Sequence, residues 1–308
     1  MLLLQAMKLK KILCALAASL FVLAASIGAS EAAENPALAL MKLYWGQIGD
    51  RDLLSPYTIS ILALNELEEG RNTGMVKDFI VWYLETTNDS DMDGLSGTIY
   101  DFRISANGDL EPIEDYDSAD GYAGVFLHLL NTYYEKTGDK ETLVANWQKI
   151  EHIAYVISHL QDADGLTRAT EKHHMKYLMD NAEAYAGASA FVALSKAVRK
   201  GNRKYYEDVC AGIRKGIHEK MFDMKRRNYI WALNNGERFI TDLKKFYPGA
   251  YSNIMLFAYN RAIFEGYADR KTALWKDIML EQGGRTADLP IEQRIIFGFA
   301  IREMGGKE

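Results

Sequence analysis

A helix-opening segment recurs along this chain. Asp117-Ser118-Ala119-Asp120-Gly121-Tyr122-Ala123-Gly124 and Asp180-Asn181-Ala182-Glu183-Ala184-Tyr185-Ala186-Gly187 each begin a long helical pattern. Looser echoes stand at Ser55-Pro56-Tyr57-Thr58 and Gly249-Ala250-Tyr251-Ser252, so that Tyr57, Tyr122, Tyr185 and Tyr251 are almost evenly spaced. A repeat of roughly 65 residues holds two helices and their connections, so the spacing predicts a series of helical hairpins. The two middle copies each place two acids at i and i+3 where a helix begins.

The apolar periodicity supports that frame. Residues 56–69 carry Ile59, Leu62, Ala63 and Leu67 on one face, with Pro56 suited to a first turn and Gly70 as a stop. Outgoing helices are predicted over 118–136, 181–198, 251–265 and 291–304, with returns over 76–84, 141–160, 205–222 and 271–280. A short helix over 37–44 precedes them. Glu69-Gly70, Gly138-Asp139, Gly201-Asn202 and Gly266-Tyr267 turn each pair. At the other ends, Asp91-Met92-Asp93-Gly94-Leu95 and Asp162-Ala163-Asp164-Gly165-Leu166 recur at a similar interval, and Asn234-Asn235-Gly236 takes the third such place. Strand-like stretches follow: 98–102 before Asn107-Gly108, and 228–232 with 238–240 around Asn235-Gly236, both β-hairpin signals. These insertions lie where outgoing helices start, the end that binds ligands in many repeat architectures.

Residues 1–33 have the layout of a cleavable secretory signal peptide. Met7-Lys8-Leu9-Lys10-Lys11 is a basic start, residues 12–27 are apolar, and Ala29, Ser30, Ala32 and Ala33 are small. The apolar run is short for a membrane span, and Cys14 lies in no lipid-attachment setting. The expectation is a secreted or periplasmic monomer with no stable membrane insertion, and one domain over 34–308. Beyond residue 33 the single cysteine is Cys210, which excludes an intrachain disulfide framework; its apolar helical setting reads as packing. A net charge of −6 with interspersed signs argues against a nucleic-acid surface.

Hairpins of this length closed in a ring make an (α/α) toroid, and the starts at 117–123 and 177–187 resemble inner-helix starts of the six-hairpin glycosidases. Asp117-Ser118-Ala119-Asp120 is similar to the Ala-Ser/Thr-Asp-Ala-Asp stretch of inverting endoglucanase- and chitosanase-type enzymes. The resemblance covers about residues 37–305 as a pattern and implies an all-α toroid with small β-hairpin insertions. With four clear hairpins, a last outgoing helix and the short helix over 37–44, the ring is expected to be an incomplete six-hairpin one. The endoglucanase type also carries a glutamic acid at an early inner-helix start; here Asp52-Leu53-Leu54-Ser55-Pro56-Tyr57 offers only Asp52.

Glycoside hydrolysis needs one protonated and one ionised carboxyl flanking the bond, and so two different environments. The paired acids of neighbouring inner helices suit that need. Glu183, longer and set among Ala182, Ala184 and Tyr185, is the expected general acid; Asp120 is the expected base. Asp117 and Asp180 hold sugar hydroxyls in this reading, although either also suits an N-cap. Asp52, Tyr122, Tyr185, Tyr177, Trp45 and Trp231 are further candidates for binding sugar. Tyr116, Tyr229 and Tyr247 are additional aromatics, each equally suited to a core. Residues 88–94 resemble the opening of a calcium loop but lack the closing carboxylate at Tyr100, so an Asx-type turn is expected. His173-His174 has no partner at ligand spacing, so neither metal nor cofactor is expected. The function expected is hydrolysis of a poly- or oligosaccharide. The alternatives are a non-catalytic carbohydrate-binding or polysaccharide-assembly protein, and a helical interaction scaffold.

Overall fold

Inner and outer helices of this protein differ in how much of their surface they bury. The computed structural model describes residues 34–259, 261–285 and 288–305; the expected signal segment lies outside them. Eleven α-helices run through the described residues: α1 (Pro36–Leu43), α2 (Pro56–Glu68), α3 (Thr73–Thr86), α4 (Ala119–Thr137), α5 (Lys140–Ala145), α6 (Trp147–Leu160), α7 (Leu178–Val198), α8 (Arg203–Gly216), α9 (Tyr251–Ala258), α10 (Ala268–Gln282) and α11 (Ile291–Glu303). On α8 only Tyr206, Val209, Ile213 and Gly216 are buried, a single stripe. On α4 nearly every residue from Ala119 to Leu130 is buried, and α7 is similar. A helix apolar all round belongs in the interior. Accordingly α2, α4, α7, α9 and α11 each pack against the next, and α11 closes onto α2. Among the described residues the inner ring therefore closes with five helices. Outside it, α3 backs α2 and α4, α6 backs α4 and α7, and α8 backs α7.

The tightest contact of the ring is built from glycine. A Cβ on Gly124 would run into the Glu183 carbonyl and stand 2.8 Å from the Ala184 amide nitrogen, and one on Gly187 would stand 2.5 Å from the Gly124 Cα. The backbones of α4 and α7 therefore touch, which brings the two acidic helix starts together.

Short strands connect the helices. β1 (Leu53–Leu54), β2 (Phe102–Ile104) and β3 (Leu110–Pro112) form an antiparallel sheet with Arg103 opposite both Leu53 and Glu111. β4 (Lys176–Tyr177), β7 (Ala232–Asn234) and β8 (Glu237–Phe239) form a second, and β5 (Phe222–Asp223) pairs with β6 (Asn228–Tyr229). The strand expected over 98–102 starts only at Phe102. Thr98 is instead drawn to Asp91, whose carboxylate also accepts from the amides of Asp93 and Leu95 and from the Tyr116 hydroxyl. The fold itself thus occupies the Asp91 oxygens of the calcium-like turn.

Several helix bounds differ from expectation. The helix predicted over 141–160 breaks at Asn146, the one over 205–222 ends at Gly216 in a π-helical turn, and the one over 251–265 ends at Ala258. At the starts, carbonyls of neighbouring loops take the capping role. The Ala119 amide donates to the Ala169 carbonyl (2.7 Å) and the Leu178 amide to the Trp231 carbonyl (2.9 Å). Ser118 and Tyr177 are therefore the cap residues, Asp117 precedes its helix, and Asp180 lies inside the first turn. The structural repeat also follows the turns, not the tyrosines. Asp91 and Asp162 close the same backbone turn with Leu95 and Leu166. Asn181 clamps the backbone N–H and C=O of Thr167, and Asn253, one repeat further on, clamps those of Tyr229.

Candidate active site

All five inner helices contribute to one cleft of about 340 Å³ at the end of the ring where they start. Tyr57 and Thr58 come from α2, Tyr122 from α4, Met179, Asp180 and Glu183 from α7, Tyr251 from α9, and Glu292 and Gln293 from α11; Asp101, just before β2, and Asp117 and Ser118, just before α4, complete the acidic side. Tyr247, 60 % exposed, stands at the mouth as an open aromatic face.

Glu183 is only 1 % exposed. Its Oε1 accepts the hydroxyl protons of Tyr57 (2.7 Å) and Tyr259 (3.3 Å), which leaves Oε2 to carry a proton. Burial pushes this carboxyl well above the usual range, against the lowering effect of Tyr57, and the negative charge of Asp120 adds to the push. Gly121 makes the room: a Cβ there would stand 2.9 Å from Glu183 Oε2 and 2.6 Å from Ser118 Oγ. Asp180, 6 % exposed, is also pushed well up by burial and by the charges of Asp120 and Glu183. Its buried Oδ2 has no hydrogen-bond partner.

Asp101, which lines the same cleft, is 9 % exposed, and burial raises its carboxyl to about 6. The Tyr122 hydroxyl donates to Asp101 Oδ1 (2.9 Å) and itself lies 2.9 Å from Ser55 Oγ. With the Tyr122 proton committed to Asp101, Ser55 is the donor of that second bond. Asp117 is exposed on the lip. Among the described residues, no three His, Cys, Asp or Glu side chains are placed to hold a metal ion.

Asp120 does not line this cleft. It is 0 % exposed, with Oδ2 accepting from Thr167 Oγ1 (2.5 Å) and Oδ1 from the Gly121 amide (2.9 Å). It stands behind Asp180 and Glu183, in electrostatic contact with both. Burial raises it to about 7. The folded state thus keeps a proton that the unfolded chain releases near pH 4, so this contribution to stability is complete below pH 4 and is lost as pH rises to about 7. Asp120→Asn is therefore expected to flatten the fall in unfolding midpoint between pH 4.5 and pH 7.5; thermal unfolding at the two pH values checks it.

The other expected site residues scatter. Tyr122 lines the cleft, as do Asp117 and Asp180. Tyr185 does not: it lies five positions after Asp180, on the far side of α7, where it is buried and interacts with Arg214 and Cys210 of α8. Tyr177 and Trp231 stack on each other (6.2 Å between centroids) and do not line the cleft. Asp52 and Trp45 line a separate depression with Lys42, Arg51 and Arg103, and the Asp52 carbonyl accepts the Ile104 amide. Tyr116 is committed to Asp91, and Tyr229 to His218 in the core. Sequence reasoning missed Asp101, Tyr57, Tyr251, Tyr259 and Glu292. Tyr57 and Tyr251 were marked by the tyrosine echo; Asp101 stood in the alternating stretch after the first Asp-Gly turn.

No protein-family model matches the sequence, and no curated protein matches it. Solved structures do match in fold. A rhamnosidase from Klebsiella oxytoca with rhamnose bound aligns with TM-score 0.57 at 12% identity, over 88% of this chain and 51% of its own. This chain thus spans about half the length of that enzyme. A conserved uncharacterized protein from Thermus thermophilus aligns with TM-score 0.56 at 10% identity, over 80% of this chain and 76% of its own. A glycosidase variant in complex with glucose aligns with TM-score 0.51 at 11% identity, over 88% and 96% of the two chains. The fold of this chain, an (α/α) toroid of helical hairpins with small β-hairpins, is thus one that these solved structures share.

Proposed function

We propose that this protein is an exported glycoside hydrolase that uses Glu183 and Asp101. The observation that carries the reading is one cleft holding two carboxyls in unlike surroundings. Glu183 is sealed in with two tyrosine hydroxyls on one oxygen, and Asp101 sits shallower on a Tyr122–Ser55 chain. Unlike surroundings are how a pair divides into acid and base. Glu183 gives its proton to the glycosidic oxygen as the C1–O bond breaks; water adds to C1 and its proton passes to Asp101. Asp117 and Asp180 hold the sugar, and Tyr247 offers a stacking face. Asp120, expected as the base, takes instead the role of a positioning residue behind them. The sugar-processing enzymes sharing this toroid support the reading at the level of fold, and the N-terminal layout adds export.

Reducing-end release from β-glucans, xylan, chitosan and bacterial exopolysaccharides tests it, with Glu183→Gln alongside. Release that disappears in the variant supports the reading. Release untouched by Glu183→Gln removes these residues from the chemistry, and binding without release moves the protein to the carbohydrate-binding alternative.

A further inference from the structure

Positive charge near the site gathers at a distance from the carboxyls. Among the described residues the cleft lining contains no Lys, Arg or His, and neither does that of an adjoining groove of about 430 Å³, which shares Ser55, Thr58 and Glu292 with the cleft. The groove reaches Leu53 on β1. Arg103 on β2 stands directly opposite Leu53 in the ladder. Residues so paired project on the same face, with their Cβ atoms about 5 Å apart. Arg103 in turn lines the depression, of about 610 Å³, that holds Trp45 and Asp52. Cleft, groove and depression therefore follow one another along one side of this sheet.

Among the described residues, Lys42, Arg51 and Arg103 line the depression against one carboxylate, Asp52. Its two arginines differ from other exposed ones. Arg71, Arg203, Arg226 and Arg227 each meet a carboxylate. Arg51 and Arg103 form no ion pair among the described residues, although Glu111 also stands opposite Arg103 in the ladder. Arg51 is held on the Trp45 ring instead, 5.5 Å from the ring centroid. That contact uses the π face and leaves the N–H donors for another partner. Arg103 is fixed through its backbone, in the middle strand of the sheet. Two guanidinium forks on supported elements suit an oxyanion, which each can grip with paired N–H donors.

We propose that the depression is a subsite for an acidic residue of the glycan, with its carboxylate or sulfate held by Arg51 and Arg103. The inference rests on the hydrolase reading of the cleft and adds the class of polymer on which the cleft acts. Asp52 lines the depression and Ser55 the cleft, with extended chain between them. Three residues of extended chain span roughly 10 Å, so the acidic residue lies away from the bond that is cleaved. A uniformly charged polymer is repelled by the carboxyls at that bond. The polymer therefore mixes neutral and acidic residues: a neutral one lies against Glu183 and Asp101, and an acidic one further along lies against the two arginines.

The test is affinity electrophoresis of the whole protein. The gels carry a glucuronate-bearing bacterial exopolysaccharide, the same polymer with its carboxyls reduced to alcohols, a lightly sulfated β-glucan, or its unsulfated parent. The expected result is at least about tenfold tighter binding of a charged polymer than of its uncharged form, the scale of one charge-assisted hydrogen-bonded pair. The polymer that shows it names the oxyanion. The preference shrinks as salt rises from about 50 to about 500 mM, because screening weakens the charge contacts. Arg51→Gln and Arg103→Gln, both at exposed positions, each lower the preference severalfold, and the double variant abolishes it. Cleavage of short neutral oligosaccharides, which fill the cleft alone, is unchanged in these variants. Equal binding of charged and uncharged forms overturns the proposal, as does a preference that survives the double variant. Arginine-dependent binding to vesicles of phosphatidylglycerol and phosphatidylcholine, without retention by either charged polymer, assigns the depression to a membrane surface instead. Arginine-dependent binding of a charged polymer with no cleavage of any glycan keeps the subsite and overturns the hydrolase; cleavage with no charge preference does the reverse.

Discussion

Glu183→Gln is expected to lower kcat about 10³-fold on whichever glycan the protein cleaves, with KM little changed, because a positioned general acid contributes roughly 10²–10⁴. The amide keeps the shape of the carboxyl and still accepts from Tyr57 and Tyr259, so folding is preserved while the transferable proton is gone. Asp101→Asn is expected to fall by a similar factor, since the water then has no base. Asp120→Asn should cost far less, because Asp120 meets Thr167 and the Gly121 amide and never the cleft. Steady-state kinetics of the three variants give this order directly. A loss at Asp120 as large as that at Glu183, with Asp101→Asn active, would return the base to Asp120.

Gly124→Ala is expected to destabilise the fold by about 3 kcal/mol or more, the upper range for overpacking. Its Cβ would be driven into the Glu183 carbonyl, and backbone on both sides leaves nothing flexible to yield. Helix propensity runs the other way and offsets about 1 kcal/mol. Gly74→Ala is the control: it lies in the first turn of α3 with open space around it, so the same change there is expected to stabilise by about 0.5–1 kcal/mol. Urea unfolding of the two variants against the parent protein measures both. Because α4 and α7 carry Asp120 and Glu183 at this contact, a Gly124 variant that does fold should also lose activity.

The ring was legible in the sequence because inner and outer helices obey different patterns. An outer helix such as α8 needs one apolar stripe, whereas the first three turns of α4 and most of α7 are buried nearly all round, and that contrast shows in a single sequence. The acidic helix starts were legible for the same reason: a charge opening an otherwise apolar helix stands out. Their register was not. Equating Tyr122 with Tyr185 assumed that both helices start at the same place relative to the motif, yet α7 starts at Leu178, where the strand pairing of Tyr177 ends and the Trp231 carbonyl takes the first amide. That shift turns Tyr185 outward and leaves Asp180 and Glu183 on the cleft. Asp101 was hidden because its role depends on Tyr122 and Ser55, which meet it only when three elements distant in sequence come together. The placement of Asp120 was not legible because local sequence does not tell which neighbour a first-turn acid will meet; here it is Thr167.

The central claim is that Glu183 and Asp101 work as a protonated and an ionised carboxyl in one cleft. The most direct measurement is kcat/KM against pH, for the parent protein and Asp101→Asn, on the glycan that the panel identifies. Asp101 is raised to about 6 by burial and must be ionised to act as base, so activity should rise with pH through about 6 and decline only at higher pH, where Glu183 loses its proton. In Asp101→Asn the low activity that remains should lack the acid limb. A parent profile flat from pH 4 to pH 7, or an acid limb unchanged in Asp101→Asn, contradicts the assignment.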